Sequence, residues 1–244
     1  MELFGHMLSD AAIAFKEKFE PLLDKPHKYR RLPGNFKNFG NMEVINGEYV
    51  IRARANVPTK SFEATVCHEL YHAYQFSCGF PTVVCIDPYS PSAREYIERL
   101  RSNILDLSAE KIVTDHRLDN SHVINDRFNG LINLNHSKFN NVDEFNGHLL
   151  AVDLLLDITL FEPDKAKLIL KGLKRYLPSV YDRYINHKMW IDKFGHDTPQ
   201  SCFTILGNIV NDMKLWGFCR IEYGGEMIYS QPHFEKSLKS THTL

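Results

Sequence analysis

Two histidines and a glutamate in one short string are the residues of this sequence best suited to do chemistry. His68, Glu69 and His72 form the pattern His-Glu-x-x-His. Because residues four apart lie on one face of an α-helix, both imidazoles can reach one metal ion, for which zinc is the expected choice. Glu69 can accept a proton from a metal-bound water without being a ligand itself. The spacing therefore predicts a zinc site with a general base beside it.

The composition of the chain makes this string hard to attribute to chance. The sequence has 244 residues with 12 histidines, and at this composition the pattern arises about 0.04 times by chance. The neighbouring residues Thr65, Val66 and Ala73 carry no charge, as is typical of a helix that packs against a core. Ordinary helix residues are therefore the weaker interpretation of the two histidines.

A hairpin and a helix are predicted to position the motif. Asn46-Gly47 lies between two apolar, β-branched runs over residues 43–55, which is the strongest short hairpin signal. Pro58 then opens a helix that runs to about Ser77, with glycine and proline stop signals after it. The motif is thus predicted to lie on a helix directly after a hairpin.

The flanking segments predict mostly helix. Ser92 and Glu95 have the spacing of a capping box for a long helix over about 93–118. Residues 25–40 are basic and interrupted by proline and glycine, which favours a solvated connector. The other predicted elements are a helix at 8–24, a strand at 82–86, a loop-like stretch at 119–141, helices at 142–161, 163–176, 179–194 and 199–216, and a hairpin turning at Gly224-Gly225.

The string TVCHELYHAY over residues 65–74 resembles the active-site helix of zincin metallopeptidases. The resemblance covers about residues 43–118. It implies a zincin-like core with a small antiparallel sheet, an active-site helix and a following ligand helix. The C-terminal half, to which the resemblance does not extend, has mostly helical patterns, so the expected fold class is α+β and mostly helical. In zincins a substrate peptide commonly adds to an edge strand, which here would be residues 48–55. It also implies Zn²⁺ as cofactor and peptide-bond hydrolysis.

The third zinc ligand is the open question of the motif. The metzincin pattern fails, because Gln75 and Cys78 stand where its glycine and third histidine belong. The gluzincin alternative is a carboxylate on a following helix. Glu110 is the favoured candidate, since its apolar neighbours predict that it is held against the core. The gap from His72 to Glu110 is longer than in thermolysin-like enzymes, and resembles small cytoplasmic zincins of the ImmA/IrrE type.

Several other residues stay open for roles in the same site. Asp106, one turn before Glu110, is predicted either as a ligand or as an acceptor for an imidazole N–H group. Further ligand candidates are Glu95, Glu98, Asp115 and His116. A peptidase also needs a donor for the developing oxyanion, and the candidates are His116, Arg117, Tyr176, Tyr181, Tyr184 and His187.

The composition limits which partners and which cellular location are expected for this chain. With 29 basic and 30 acidic residues the net charge is −1, which argues against nucleic acid or an anionic membrane as the main partner. The longest apolar stretch, 148–161, is interrupted by two aspartates and is too short to span a bilayer. Five scattered cysteines do not suggest a disulfide framework, so a cytoplasmic location is expected.

The sequence thus predicts a zinc metallopeptidase, a hydrolase acting on a peptide or protein substrate. Its expected parts are an N-terminal helix and basic loop at 1–40, a zincin-like metal-binding core at 41–125 and a helical region at 126–244. In this hypothesis His68, His72 and Glu110 bind zinc and Glu69 activates water. The alternatives are a zincin-fold regulatory or binding module that holds zinc with little peptidase activity, and a nucleic-acid-associated protein that uses the basic 25–37 loop.

Overall fold

A computed structural model describes residues 1–33, 39–86, 91–132 and 144–241. The described residues are mostly helical with small sheets, which agrees with the predicted α+β, mostly helical class. Its contacts divide it into two compact units. The first comprises Met1–Cys78 with Ser108–Asp126, and the second comprises Gly79–Leu107 with Arg127–Leu244.

The N-terminal part of the first unit contains two small sheets and two helices. Its elements are β1 (Glu2–Leu3), β2 (His6–Met7), α1 (Asp10–Phe19), a 3₁₀ turn (Glu20–Leu22), β3 (His27–Arg31), β4 (Gly40–Ile45), β5 (Glu48–Ala53) and the motif helix α2 (Thr59–Ser77). Strands β1 and β2 pair with each other. In the second sheet, of order β3-β5-β4, β4 is antiparallel to β5 whereas β3 is parallel to it. This sheet is therefore mixed, and not purely antiparallel as predicted.

The predicted hairpin is confirmed. Strands β4 and β5 pair with Ile45 opposite Glu48, and the two residues between them have positive φ, 52° at Asn46 and 79° at Gly47. A two-residue turn with φ above zero at both positions is the hairpin turn whose twist matches that of the strands.

Strand β3 overturns two predictions. Residues 27–31 are not a connector, because they pair with residues 49–53 of β5. Residues 34–38 of the predicted connector lie outside the described residues. This pairing makes β5 the central strand, so the prediction that 48–55 is the edge strand is wrong and β4 is an edge strand instead. Two cations of the predicted basic loop form ion pairs, Lys25 with Asp24 and Lys28 with Glu48.

Helix α2 packs its apolar side against β5 and α1. The core joins Phe15 of α1, Tyr49 and Ile51 of β5, and Phe62 and Leu70 of α2, all at most 1% exposed. Burial of such side chains contributes roughly 1.5–3 kcal/mol each. The core therefore fixes the rotation of α2, and it leaves the two motif histidines on a half-buried face.

A polar contact fixes the carboxyl end of α2. Asp24 Oδ1 accepts hydrogen bonds from Tyr49 Oη at 2.6 Å and Ser77 Oγ at 2.9 Å. The hydrogen bond from Lys25, followed by those from Tyr49 and Ser77, lowers the pKa of Asp24 to about 2. This cluster ties the last residue of α2 to β5.

Replacing Asp24 with Asn should destabilise the protein in a pH-dependent way. The folded-state pKa lies below the unfolded value of about 3.9, so the stabilisation is present above about pH 4 and is lost as the pH falls through about 2. The half-exposed site limits the effect to below about 1 kcal/mol. Urea unfolding of the wild type and the variant between about pH 5 and pH 2 measures the difference in their free energies of unfolding. A difference that stays constant across that range would refute the prediction.

The second unit is mainly helical. Helices at Pro163, Pro178 and Pro199 begin where those prolines predict, with proline in the first turn. Its elements are β6 (Thr82–Cys85), α5 (Glu144–Leu160), α6 (Pro163–Tyr176), α7 (Pro178–Phe194), α8 (Pro199–Asp212), a 3₁₀ turn (Leu215–Gly217), β7 (Cys219–Tyr223), β8 (Glu226–Ile228) and α9 (Gln231–Thr241).

Two helices cross the division between the units. Helix α3 (Pro91–Asp115) is unbroken where the division falls, between Leu107 and Ser108. Helix α4 (Ser121–Ile132) corrects the prediction of a loop over 119–141 for its described part. Residues 133–141 of that prediction lie outside the described residues. In the part of the chain that the structure describes, no helix has the length and apolar character needed to cross a bilayer.

Candidate metal centre

The predicted pairing of the two motif histidines is present on α2. The Nε2 atoms of His68 and His72 lie 2.9 Å apart, and the rings meet edge-on with centroids 4.6 Å apart. At that separation the two nitrogens can share one proton or direct their lone pairs at one cation. The spacing of four residues therefore brings both imidazole rings to the same place on one face of the helix, as predicted.

The far side of the His72 ring is held by a buried amide. Its Nδ1 lies 2.7 Å from Gln75 Oε1, and Gln75 Nε2 donates to Ser108 Oγ at 2.7 Å. Because an amide oxygen only accepts, this contact favours the tautomer with the proton on Nδ1 and the lone pair on Nε2. Gln75 is fully buried, so this contact is shielded from water.

The far side of the His68 ring faces a carboxylate. Glu110 Oε1 lies 3.3 Å from His68 Nδ1, and Glu110 Oε2 accepts a hydrogen bond from Asn120 Nδ2 at 2.7 Å. Glu110 is 5% exposed, which agrees with the prediction that it is held against the core. A carboxylate in this position can orient the imidazole ring.

Asp106 completes a group of three possible ligands. One nitrogen each from His68 and His72 and one carboxylate oxygen of Asp106 all lie within 4.8 Å of one another. Asp106 is 7% exposed, lies one turn before Glu110 on the unbroken α3, and accepts from Ser102 Oγ at 3.2 Å. These three side chains could hold a metal ion, because two imidazole nitrogens and a carboxylate are donors that zinc accepts.

The other predicted ligand candidates are engaged elsewhere. Glu95 is exposed and pairs with Arg99 at 2.6 Å, and both Glu98 and Asp115 are exposed. His116 packs edge-on against Phe15 with centroids 5.0 Å apart, and its Nδ1 lies 2.8 Å from Ile112 O. None of the four belongs to the group of ligand atoms described above.

The carboxylate of Glu69 lies under the first residue of β4. A Cβ atom built on Gly40 would stand 2.7 Å from Glu69 Oε1, 2.8 Å from its Cγ and 2.6 Å from Thr65 Cγ2. Only glycine permits this approach of strand to helix. Glu69 is 9% exposed, so the edge strand both shields the predicted general base and limits where its carboxylate can move.

Replacing Gly40 with Ala should therefore displace the Glu69 side chain. A displacement of about 1 Å costs a catalytic group on the order of 10²-fold in rate, whereas zinc content should be unchanged because no ligand is touched. Peptide cleavage and bound zinc, measured on the same sample, check this. The matched control is Gly130→Ala, since Gly130 lies on α4 with open space around it; equal activity of the two variants would contradict the expectation.

The predicted oxyanion donors are divided between the two units. His187 is fully buried in the second unit, 3.4 Å from Asp212, and Tyr184 is also buried there. Tyr176 and Tyr181 belong to the second unit as well. Arg117 is exposed just after α3. Their place in a site stays a prediction.

His122 is a residue of this neighbourhood that the sequence analysis missed. Its ring meets Phe39, next to Gly40, edge-on with centroids 5.0 Å apart. Burial lowers its pKa, against the charges of Asp119, Asp126 and Glu110. Nothing in its spacing from the motif signals this, because the segment that carries it was predicted to be a loop.

Comparison with known proteins leaves the site to be argued from its own geometry. No family model matches this chain, and neither the curated proteins nor the solved structures give a match.

Proposed function

We propose that this protein is a zinc-dependent peptidase in which His68, His72 and Asp106 hold the ion and Glu69 is the general base. The observation that carries the proposal is the convergence of two imidazole nitrogens and one carboxylate oxygen within 4.8 Å. The sequence predicted Glu110 as the third ligand. We favour Asp106, because the Glu110 carboxylate lies against Nδ1 of His68 and Nε2 is the nitrogen that faces His72.

The donor set favours a catalytic zinc site over a structural one. Structural zinc is closed by four protein ligands, whereas catalytic zinc keeps three and leaves a position open. Among the described residues three possible protein ligands converge here, and both histidines are half-buried and not fully enclosed. Zinc bound there would supply Lewis-acid polarisation of the scissile carbonyl and a lowered pKa for the attacking water.

Glu69 provides the proton transfers in this proposal. Its carboxylate accepts a proton from the attacking water as the water oxygen bonds to the carbonyl carbon. It then gives that proton to the amine nitrogen as the C–N bond breaks, which balances the hydrolysis. The contact with Gly40 holds the carboxylate in place for both transfers.

Strand β4 supplies a docking edge for an extended peptide. Arg54 N donates to Phe39 O at 2.8 Å, which makes their pair a hydrogen-bonded one. Since such pairs alternate along an antiparallel ladder, the backbone groups of Gly40, Met42 and Val44 point away from β5. A peptide that adds to this edge would run past Glu69, because Gly40 belongs to the edge strand and lies against the Glu69 side chain.

A mixture of unstructured peptides tests the proposal without a known substrate. The protein loaded with one equivalent of zinc is incubated with the mixture in H₂¹⁸O, and new carboxyl termini are identified by mass spectrometry. We expect new termini that carry ¹⁸O and disappear after zinc removal and in the His72→Ala variant. Bound zinc without any cleavage would instead identify a zinc-holding binding module and contradict the peptidase proposal.

A further inference from the structure

A pair of cysteines on the small sheet of the second unit lies outside the proposed metal centre. Cys85 is the last residue of β6 and Cys219 the first residue of β7, and the two are direct partners in the antiparallel register. Both are present as thiols. Cys219 is fully buried, whereas Cys85 is half-buried and therefore accessible to a small reagent.

The ladder places this pair where cross-strand bonding is possible. Ile86 N donates to Phe218 O at 2.9 Å, so the pair next to Cys85 and Cys219 is the hydrogen-bonded one. Because the two kinds of pair alternate, Cys85 and Cys219 form a non-hydrogen-bonded pair, with Cα atoms about 4.5 Å apart. Disulfides need Cα atoms about 4.4–6.8 Å apart, and the two side chains leave the sheet on the same face.

The surroundings of the two sulfurs differ. Cys219 Sγ lies 3.4 Å from Leu215 O, and burial raises the pKa of its thiol to about 12, with Arg220 opposing. The buried thiol is thus a poor first nucleophile, since the thiolate is the reactive form. The half-buried Cys85 is the group that an external reagent meets first.

The geometry points to a redox modification site in which Cys85 and Cys219 form a cross-strand disulfide on reaction with a small disulfide. Cys85 thiolate attacks one sulfur of the reagent, which gives a mixed disulfide and releases one reagent thiolate. Cys219, after losing its proton to water, attacks the Cys85 sulfur and releases the second thiolate. Two protein thiols are oxidised and one reagent disulfide is reduced to two thiols. The new bond joins β6, which precedes α3, to the C-terminal hairpin.

Oxidised glutathione tests this on the zinc-loaded protein. We expect a non-reduced digest to contain one peptide pair joined through Cys85 and Cys219, with no glutathione retained on either of these two residues. The urea midpoint should rise on oxidation and fall back on reduction, because a bond across a long loop constrains the unfolded chain.

Single-cysteine variants separate this pair from the other thiols. Cys219→Ser should retain one glutathione on Cys85, because the second attack is lost, and its urea midpoint should not rise. Cys78→Ser is the matched control, since Cys78 is exposed and can take up glutathione itself. This variant should form the same disulfide between Cys85 and Cys219, and its intact mass should fall by two hydrogen atoms. Glutathione retained on Cys85 of the folded wild type, or a disulfide formed only in urea, would overturn the inference.

Discussion

A Glu69→Gln variant is expected to bind zinc as tightly as the wild type and to lose peptide hydrolysis by about 10²–10⁴-fold, the range that a general base contributes. Glutamine keeps the volume of the side chain under Gly40 but cannot take a proton from water. Zinc content by mass spectrometry and cleavage of a peptide found in the mixed-peptide assay measure the two properties on one sample.

The matched control for this variant is Glu63→Gln on the same helix. Glu63 is 5% exposed, and its Oε2 accepts a hydrogen bond from Ser9 Oγ at 2.9 Å. Its replacement removes a buried carboxylate of α2 that has no part in the proposed site, so it should lower stability and leave the rate per folded molecule unchanged. Equal activity of Glu69→Gln and Glu63→Gln would exclude Glu69 as the base.

Asp106→Ala is expected to weaken zinc binding far more than Glu110→Gln does. Loss of a group that only orients a ligand costs about 10–100-fold in metal affinity. Loss of one of three protein ligands should exceed that range and approach the effect of His72→Ala. Competition with a chromophoric zinc chelator gives the four affinities, including that of the wild type, under the same conditions.

The control on the same helix is Asp115→Ala, because Asp115 is exposed at the carboxyl end of α3. It should bind zinc like the wild type. The reverse ranking, with Glu110→Gln weaker than Asp106→Ala by more than tenfold, would restore the ligand set that the sequence predicted. It would also require the Glu110 carboxylate to leave Asn120.

The motif helix and the hairpin before it could be predicted because their signals are local. Asn46-Gly47 specifies a turn through its own backbone preferences, and the spacing of His68 and His72 needs only the period of a helix. The structure places these residues as their spacing predicts, with the histidine Nε2 atoms 2.9 Å apart. Such inferences do not depend on the rest of the chain.

The strand order could not be predicted, because it depends on contacts between distant segments. Strand β3 pairs parallel to β5, and its polar residues show no alternation that would signal a strand. Tyr29 of β3 donates to Glu20 at 2.6 Å, a contact that sequence spacing does not reveal. Without β3, the central β5 was predicted to be an edge.

The choice between Asp106 and Glu110 was also beyond the sequence. The apolar neighbours of Glu110 favoured it in the sequence, but burial does not separate the two residues, because Asp106 is 7% and Glu110 5% exposed on the same helix. The partners of the two carboxylates distinguish them in the structure. The Glu110 carboxylate lies between Asn120 and His68 Nδ1, whereas an Asp106 oxygen belongs to the group of possible ligand atoms. Asn120 comes from the segment after α3, whose helix α4 the sequence analysis missed.

Diffraction from crystals of the zinc-loaded protein, recorded on both sides of the zinc absorption edge, would locate the ion and its ligands. We expect one strong anomalous peak about 2.0–2.1 Å from the Nε2 atoms of His68 and His72 and within about 2.2 Å of an Asp106 oxygen, with Glu110 outside the coordination sphere. A peak bound by Glu110 with Asp106 turned away, or no peak beside His68 and His72, would contradict it.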